Sequence, residues 1–259
     1  MHNAAFAALG LSDWSYELAP LPPDIVRQGL KTLRDEGGFI GVNVTVPLKQ
    51  AVMPYVKPDE RARAIGAVNT IDFRNNSGTN TDVVGFIDDL RANQIELTGA
   101  KVIVLGAGGA ARAAVYGLAK AGASVVVVNR TVEKAQVMLA DLAIAAGIHN
   151  ADVSTFDQVS QWGASLIVNC TSVGMWPKVD ESPWSDTVPF PQGITVYDMV
   201  YRPEHTKFMR QAEAHSGRAI GGLGMLVRQG AAAFALWTGC EAPVDVMFAA
   251  GREALDKKS

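Results

Sequence analysis

One unit in the middle of the chain limits its architecture more than any other. An apolar strand pattern, Lys101-Val-Ile-Val-Leu105, runs directly into Gly106-Ala-Gly-Gly-Ala-Ala-Arg112, and a helical pattern continues from Ala113 to Lys120. A second apolar strand pattern, Ser124-Val-Val-Val-Val128, follows. Gly106 allows a tight turn out of the first strand. Gly108 has no Cβ, so the backbone there can approach a pyrophosphate. Ala111, small in place of a third glycine, lets the helix pack close to the strand. The free N–H groups and positive dipole end of the helix then face the anion. Gly106, Ala107, Gly108, Gly109 and Ala110 are therefore the expected cradle of a dinucleotide. Without the flanking strands and helix, the same glycines would read as a loop.

The tip of the second strand selects the cofactor. A site for NAD usually carries Asp or Glu there, about 20 residues past the glycines, to hold the ribose 2′-OH. Here the strand ends in Asn129-Arg130-Thr131, and Glu133 comes later, in the next helical pattern. The planar fork of Arg130 can stack on adenine and meet a 2′-phosphate. The expectation is NADP. The plainer alternative is a surface arginine opening the next helix behind a threonine cap.

Composition narrows the class. The 259 residues suffice for one large domain or two ordinary ones, with 48% hydrophobic and 19% charged residues, as in a soluble globular protein. A net charge of −3 without a basic run speaks against nucleic acid. No apolar stretch approaches a membrane span, and no signal peptide is evident. Cys170 and Cys240 suggest neither a disulfide framework nor a metal knuckle. The four histidines lack ligand spacing, so no metal is expected. The expected location is the cytoplasm and the expected partner a small molecule; a homodimer is left open.

Along the chain, helices are expected at 3–10, 25–34, 49–53, 60–65, 83–93, 132–146, 206–215 and 225–237, with a last one after Pro243. Strands are expected at 14–18, 39–45, 67–73, 101–105, 124–128, 166–169 and 194–198, with a polar turn at Asn75-Asn76-Ser77-Gly78. Such alternation predicts a mostly parallel sheet. The fold class is α/β: an N-terminal substrate domain (1–85 plus 224–259) and a Rossmann-type NADP-binding domain (86–223). The C-terminal helices return to the first domain.

Three polar blocks could carry chemistry. Asn43-Val-Thr-Val-Pro-Leu-Lys49 ends a strand; Asn43 and Thr45 would share a face, and Lys49 would project at the mouth where open α/β sheets bind ligands. Alone, Lys49 reads more simply as a surface lysine. Gly66-Ala-Val-Asn69-Thr70 sets Asn69 beside a strand, and Gly78-Thr-Asn80-Thr81-Asp82-Val-Val-Gly85 surrounds an acid that could also cap a helix. Thr171 and Ser172 follow a strand end, where they could contact a cofactor or close a turn.

These blocks, together with Gly106-Ala-Gly-Gly-Ala110, Asn129-Arg-Thr131, Asn169-Cys-Thr-Ser-Val-Gly174 and Gly222-Leu-Gly-Met-Leu-Val-Arg-Gln229, resemble the shikimate dehydrogenase family in order and over nearly the whole chain. The resemblance implies NADP-dependent interconversion of 3-dehydroshikimate and shikimate in a cleft between two α/β domains. It implies Lys49 and Asp82 as the catalytic pair, with Thr45, Asn69, Asn80, Tyr201 and Gln229 around the substrate. Tyr201 could instead be a half-buried packing residue. Met199 and Gly222 match positions lining the nicotinamide. Family members usually carry a strand and a Ser-x-Ser segment ahead of the Met-His-Asn block, and those serines bind the substrate carboxylate. With Met1-His2-Asn3 first, the expectation is a chain that binds NADP and turns over weakly, its start either set at an internal methionine or truly shortened. The alternatives are a quinate/shikimate dehydrogenase paralogue, which would favour NAD and an acid after the second strand, against which Asn129-Arg130 speaks, and a non-catalytic NADP sensor, which should have lost Lys49 or Asp82.

Overall fold

The computed structural model describes residues 1–256 of the chain; the last three residues of the expected 224–259 segment lie outside the described residues. In order, the elements are α1 (His2–Ala8), α2 (Val26–Asp35), β1 (Gly41–Asn43), β2 (Lys57–Pro58), α3 (Glu60–Ile65), β3 (Thr70–Asp72), β4 (Ser77–Thr79), α4 (Asp82–Ala92), β5 (Lys101–Leu105), α5 (Gly109–Lys120), β6 (Ser124–Val128), α6 (Val132–Ala146), β7 (Ala151–Val153), α7 (Phe156–Val159), β8 (Leu166–Asn169), β9 (Thr195–Asp198), α8 (Lys207–Ala214), β10 (Arg218–Gly221), α9 (Leu223–Thr238) and α10 (Val244–Asp256).

The strands form two sheets. The larger has six strands in the order β10-β9-β8-β5-β6-β7, every pair parallel. Helices cover both faces, so its central strands read as unbroken apolar runs. Val102, Val104, Val125 and Val127 join one core with Leu118 and Met138; Ile103, Leu105, Val126 and Val128 join the opposite core with Trp184 and Phe208. Alternate residues of one strand thus feed different layers.

The smaller sheet corrects the expectation of a mostly parallel arrangement in the N-terminal half. Its order is β1-β3-β4-β2; β1–β3 and β3–β4 pair antiparallel, and only β2–β4 is parallel. For β3–β4 the reason is the expected turn at 75–78. Asn76 takes a positive φ of 57°, and Asn75 Oδ1 accepts from the Ser77 N–H at 2.9 Å. A turn this tight returns the chain beside the strand it left, which forces antiparallel pairing.

Other segments differ too. Residues 14–18 form no strand: Tyr16 exchanges its two backbone bonds with the Asn3 side chain, at 2.7 and 2.9 Å. Residues 49–52 are turns, with only a short 3-10 helix after them at Met53–Tyr55, and β1 stops at Asn43, so Thr45 lies past the strand. β2, β4, β7 and β10 were not expected.

Helices join the two sheets. α4 packs against both α5 and α9, and α10 packs on α9 and α1. α9 returns to the smaller sheet as expected: Trp237 Nε1 donates to the Ile71 carbonyl at 3.0 Å, and the Leu236 carbonyl accepts from Arg74 at 3.0 Å. On the other side, α3 ends at Gly66 in the left-handed region (φ 72°), against the Arg112 guanidinium of α5. Arg112 is buried and reaches the Ile65 carbonyl and Asp141 of α6, so one side chain ties α3 to α5 and α6.

Candidate active site

The polar blocks converge where α4 begins. Thr81 is the N-cap residue and Asp82 the first residue of the helix, a position that favours an anion. The Asp82 carboxylate caps nothing. One oxygen accepts from Lys49 Nζ at 2.7 Å and the other from Asn69 Nδ2 at 2.9 Å. The ion pair is largely withdrawn from water, with side-chain exposures of 15% for Lys49 and 5% for Asp82, so neither behaves as a surface charge. Lys49 reaches this place because the chain leaves β1 and turns back at 45–50, where the Lys49 carbonyl accepts the Val68 N–H at 2.8 Å. The lysine is therefore no freely solvated surface residue.

Asn69 organises the site. Its Oδ1 accepts the Thr81 backbone N–H at 2.7 Å, which fixes the amide orientation and points Nδ2 at Asp82, Thr81 Oγ1 and Gln229 Oε1. Gln229, on α9, donates its own amide to the Leu226 carbonyl. Asn80 is fully buried; its amide donates to the Ala67 carbonyl and its Oδ1 has no partner. It braces the loop that carries Asn69. Thr45 is exposed beside the Lys49 turn, and Tyr201 is 41% exposed. Sequence reasoning passed over Thr70, Thr81 and Tyr16, which join this network. The two threonines stood inside the polar blocks, each next to a selected residue; only the fold shows that their hydroxyls meet.

The glycine turn fits the expected cofactor. Gly106 has φ 112°, and a Cβ there would meet Thr171 Cγ2 at 3.0 Å. Gly108 is exposed and a Cβ would touch nothing within 4 Å, so its backbone faces open space. Gly108 caps α5 with no side chain, leaving the first-turn N–H groups for an anion. Ala107, Gly109 and Ala110 are half-buried on the same turn. A Cβ at Gly109 would stand 3.4 Å from Lys49 Cβ, so the cradle and the lysine are immediate neighbours. At the tip of β6, Asn129 donates to the Thr131 carbonyl at 2.7 Å, and Arg130 is exposed beside it. Thr131 is the N-cap of α6 but makes no side-chain cap bond, and Glu133 lies in that helix's first turn.

A buried acid supports the far side of the cradle. Asp198, at the end of β9, accepts from Asn169 at 2.8 Å, the Val200 N–H at 3.0 Å and Thr206 Oγ1 at 2.7 Å. Burial pushes its carboxyl up from 3.8 to about 6 despite these donors. Asn169 in turn accepts from the N–H and hydroxyl of Thr171, which closes a turn and leaves Ser172 exposed. Met199 follows Asp198 directly, and Gly222 packs on the Met199 backbone so closely that a Cβ would collide with it. The expected nicotinamide-side residues thus come together at the carboxyl ends of the parallel strands. Among the described residues, no cluster could hold a metal and no helix is long and apolar enough to cross a membrane.

Comparison with known proteins agrees with this geometry. Residues 1–71 match the shikimate dehydrogenase substrate binding domain, 89–172 the shikimate/quinate 5-dehydrogenase family, and 222–250 the shikimate 5'-dehydrogenase C-terminal domain. The NADP(+) shikimate dehydrogenase of Moorella thermoacetica is 45% identical over 100% of this chain and 89% of its own. The Thermus thermophilus shikimate 5-dehydrogenase, solved with NADP(H) and shikimate, is 37% identical, with a TM-score of 0.85 over 98% of this chain and 93% of that one. A shikimate dehydrogenase solved with NADP+ gives a TM-score of 0.91 at 33% identity, over 98% and 89%. With the glycine cradle, the paired Lys49 and Asp82, and full-length relatives all in agreement, the chain belongs to the shikimate dehydrogenase family.

Proposed function

We infer that this chain is an NADP-dependent oxidoreductase that interconverts 3-dehydroshikimate and shikimate. The observation that carries the reading is the Lys49–Asp82 pair, closed at 2.7 Å beside the first turn of α5. A non-catalytic sensor has no use for a lysine held at that spot. The NADP-dependent family members above supply the substrate and cofactor class.

Gly106 to Ala110 and the N-terminus of α5 would hold the pyrophosphate, and Arg130, with Asn129 and Thr131, the adenosine 2′-phosphate. Thr171, Ser172, Met199 and Gly222 would flank the nicotinamide. When bound, NADP supplies the hydride chemistry. The protein's task is the proton. In reduction the Lys49 ammonium polarises the carbonyl oxygen and gives it a proton; in oxidation Lys49 takes the proton of that hydroxyl. Asp82 holds the ammonium in place, and Asn69 holds Asp82. Thr45, Asn69, Tyr201 and Gln229 offer uncharged donors and acceptors to a polyhydroxylated ring, with Asn80 bracing them from below. On this reading residues 1–85 with 224–259 are the substrate lobe and 86–223 the cofactor lobe. A cytoplasmic setting suits the free Cys170 and Cys240.

The test is a substrate and cofactor panel: shikimate or quinate, with NADP or NAD, followed by absorbance of the reduced nicotinamide. Shikimate with NADP should be the preferred pair by kcat/KM. Preference for quinate or for NAD would overturn the assignment.

A further inference from the structure

A chain of hydrogen bonds runs from Tyr16, in the segment after α1, to the Lys49–Asp82 pair, and all of its donors point the same way. Tyr16 Oη donates to Asn43 Oδ1 at 3.0 Å. Asn43 Nδ2 donates to Thr70 Oγ1 at 3.0 Å. Thr70 Oγ1 donates to Asn69 Oδ1 at 3.1 Å, and Asn69 Nδ2 donates to Asp82 at 2.9 Å.

Backbone groups fix the direction. Asn69 Oδ1 must be the acceptor because the Thr81 N–H donates to it. Asn43 Nδ2 must be the donor because it also faces the Asn69 carbonyl, at 3.4 Å. With both amides set, Asn43 Oδ1 can only accept, so Tyr16 must donate. Thr70, already accepting from Asn43, has one proton, for Asn69 Oδ1 at 3.1 Å or for Thr81 Oγ1 at 3.2 Å, and the Thr81 hydroxyl itself reaches Asn69 Oδ1 at 3.2 Å, so either route ends on the same acceptor. Burial raises the Tyr16 phenol above its ordinary value, which keeps it protonated. The His2 ring stacks on Tyr16 at 4.3 Å between centroids and holds the phenol in place. Thr70, Asn69 and Asp82 are all buried, so water does not compete for these bonds.

We propose that Tyr16, Asn43 and Thr70 are positioning residues for the reaction: they form a one-way relay that polarises Asn69 and so sets the orientation of Asp82 and Lys49. Bonds in series strengthen one another in a low-dielectric interior. A broken link takes the Thr70 donor away from Asn69 Oδ1, leaves the amide polarised by Thr81 alone, and so weakens the Asn69 bond that holds Asp82 and, through it, the lysine. The proposal rests on the shikimate reading only for its kinetic arm.

The experiment compares wild type with Thr70→Val, Thr70→Ser and Tyr16→Phe by two readouts. The first is shikimate oxidation. Thr70→Val should lower kcat about tenfold, the worth of one buried hydrogen bond between neutral groups, with KM for NADP within about twofold. Thr70→Ser, which keeps the hydroxyl, should recover most of the loss, as a merely space-filling role would not allow. The second is the pair of Asn69 side-chain amide proton resonances in NMR, which need no substrate. They should move upfield in Thr70→Val and Tyr16→Phe and return in Thr70→Ser. Asn69 resonances at their wild-type positions in Tyr16→Phe, which retains the ring and its packing, would overturn the relay. If they move while wild type is inactive on shikimate with NADP, the substrate assignment falls and the relay stands.

Discussion

Single side chains carry two kinds of information here, and only one was readable in the sequence. Lys49, Asn69 and Asp82 stood in polar blocks whose resemblance to a known family marked them. The roles of Thr70 and Tyr16 could not be read, because their significance is that both hydroxyls bond the Asn43 side chain, bridging 54 residues of chain. Asp198 was likewise invisible: an acid at a strand end is ordinary until three donors and a closed interior surround it. Its pH behaviour can be stated. The carboxyl is raised on folding from 3.8 to about 6, so its contribution to stability is fully present below 3.8 and is lost as pH rises through 6. Two units correspond to at most about 3 kcal/mol. His2 runs the other way: burial lowers it to about 4, so its contribution is present above 6.5 and lost as pH falls through 4. The difference between Asp198→Asn and wild type therefore isolates Asp198. Asparagine keeps an acceptor for Asn169 and Val200 and can donate to Thr206. Urea midpoints should shift in the variant's favour as pH rises from 4 to 7; a shift toward wild type over that range contradicts the assignment.

At the scale of elements, legibility followed length. β5, β6, β8, α3 and α6 were readable to the residue, because several buried positions repeat along each. β2 and β4 were not. They span two and three residues, and Gly78 in β4 has no side chain to mark an apolar face. Gly78 is there because Val56 and Val68 fill the space its Cβ would need. The same logic governs the crossing of α4 and α9. A Cβ on Gly85 would meet the Gln229 backbone nitrogen at 2.6 Å and the Met225 carbonyl at 2.8 Å, and Gly224 abuts the Asp89 carboxylate. Asp89 itself holds Tyr197 of β9 at 2.8 Å and Arg228 of α9 at 3.2 Å. Gly85→Ala must push the helices apart, at a cost of about 1–3 kcal/mol, and it moves Gln229 away from Asn69. Denaturant midpoints should fall and KM for shikimate should rise; an unchanged midpoint would contradict so close a crossing. At the tip of β6 the prediction concerns the cofactor. Arg130→Ala should raise KM for NADP about 10- to 100-fold, the worth of one charge-assisted contact, and leave NAD nearly unaffected. Equal effects on both cofactors would remove Arg130 from the 2′-phosphate.

Across the whole molecule, the parallel sheet brings its cofactor cradle to the carboxyl ends of its strands, and the smaller mixed sheet brings a lysine to the same place. The two meet at Gly109 and Lys49. α4 starts in the site with Asp82 and runs back between the lobes, and α9 begins at the Gly222 turn and returns to the smaller sheet. The two-lobed plan was legible from the glycine turn and the order of polar blocks. The mixed pairing of the smaller sheet was not, since it depends on a hairpin whose second strand is three residues long. The central claim is that Lys49 moves the proton while other residues hold the cofactor. The most direct measurement is kcat for shikimate oxidation in wild type and Lys49→Ala, with NADP affinity measured by titration on the same preparations. The expected result is a loss of about 10²- to 10⁴-fold in kcat with NADP affinity nearly unchanged. An unchanged kcat would remove Lys49 from its role and contradict the account.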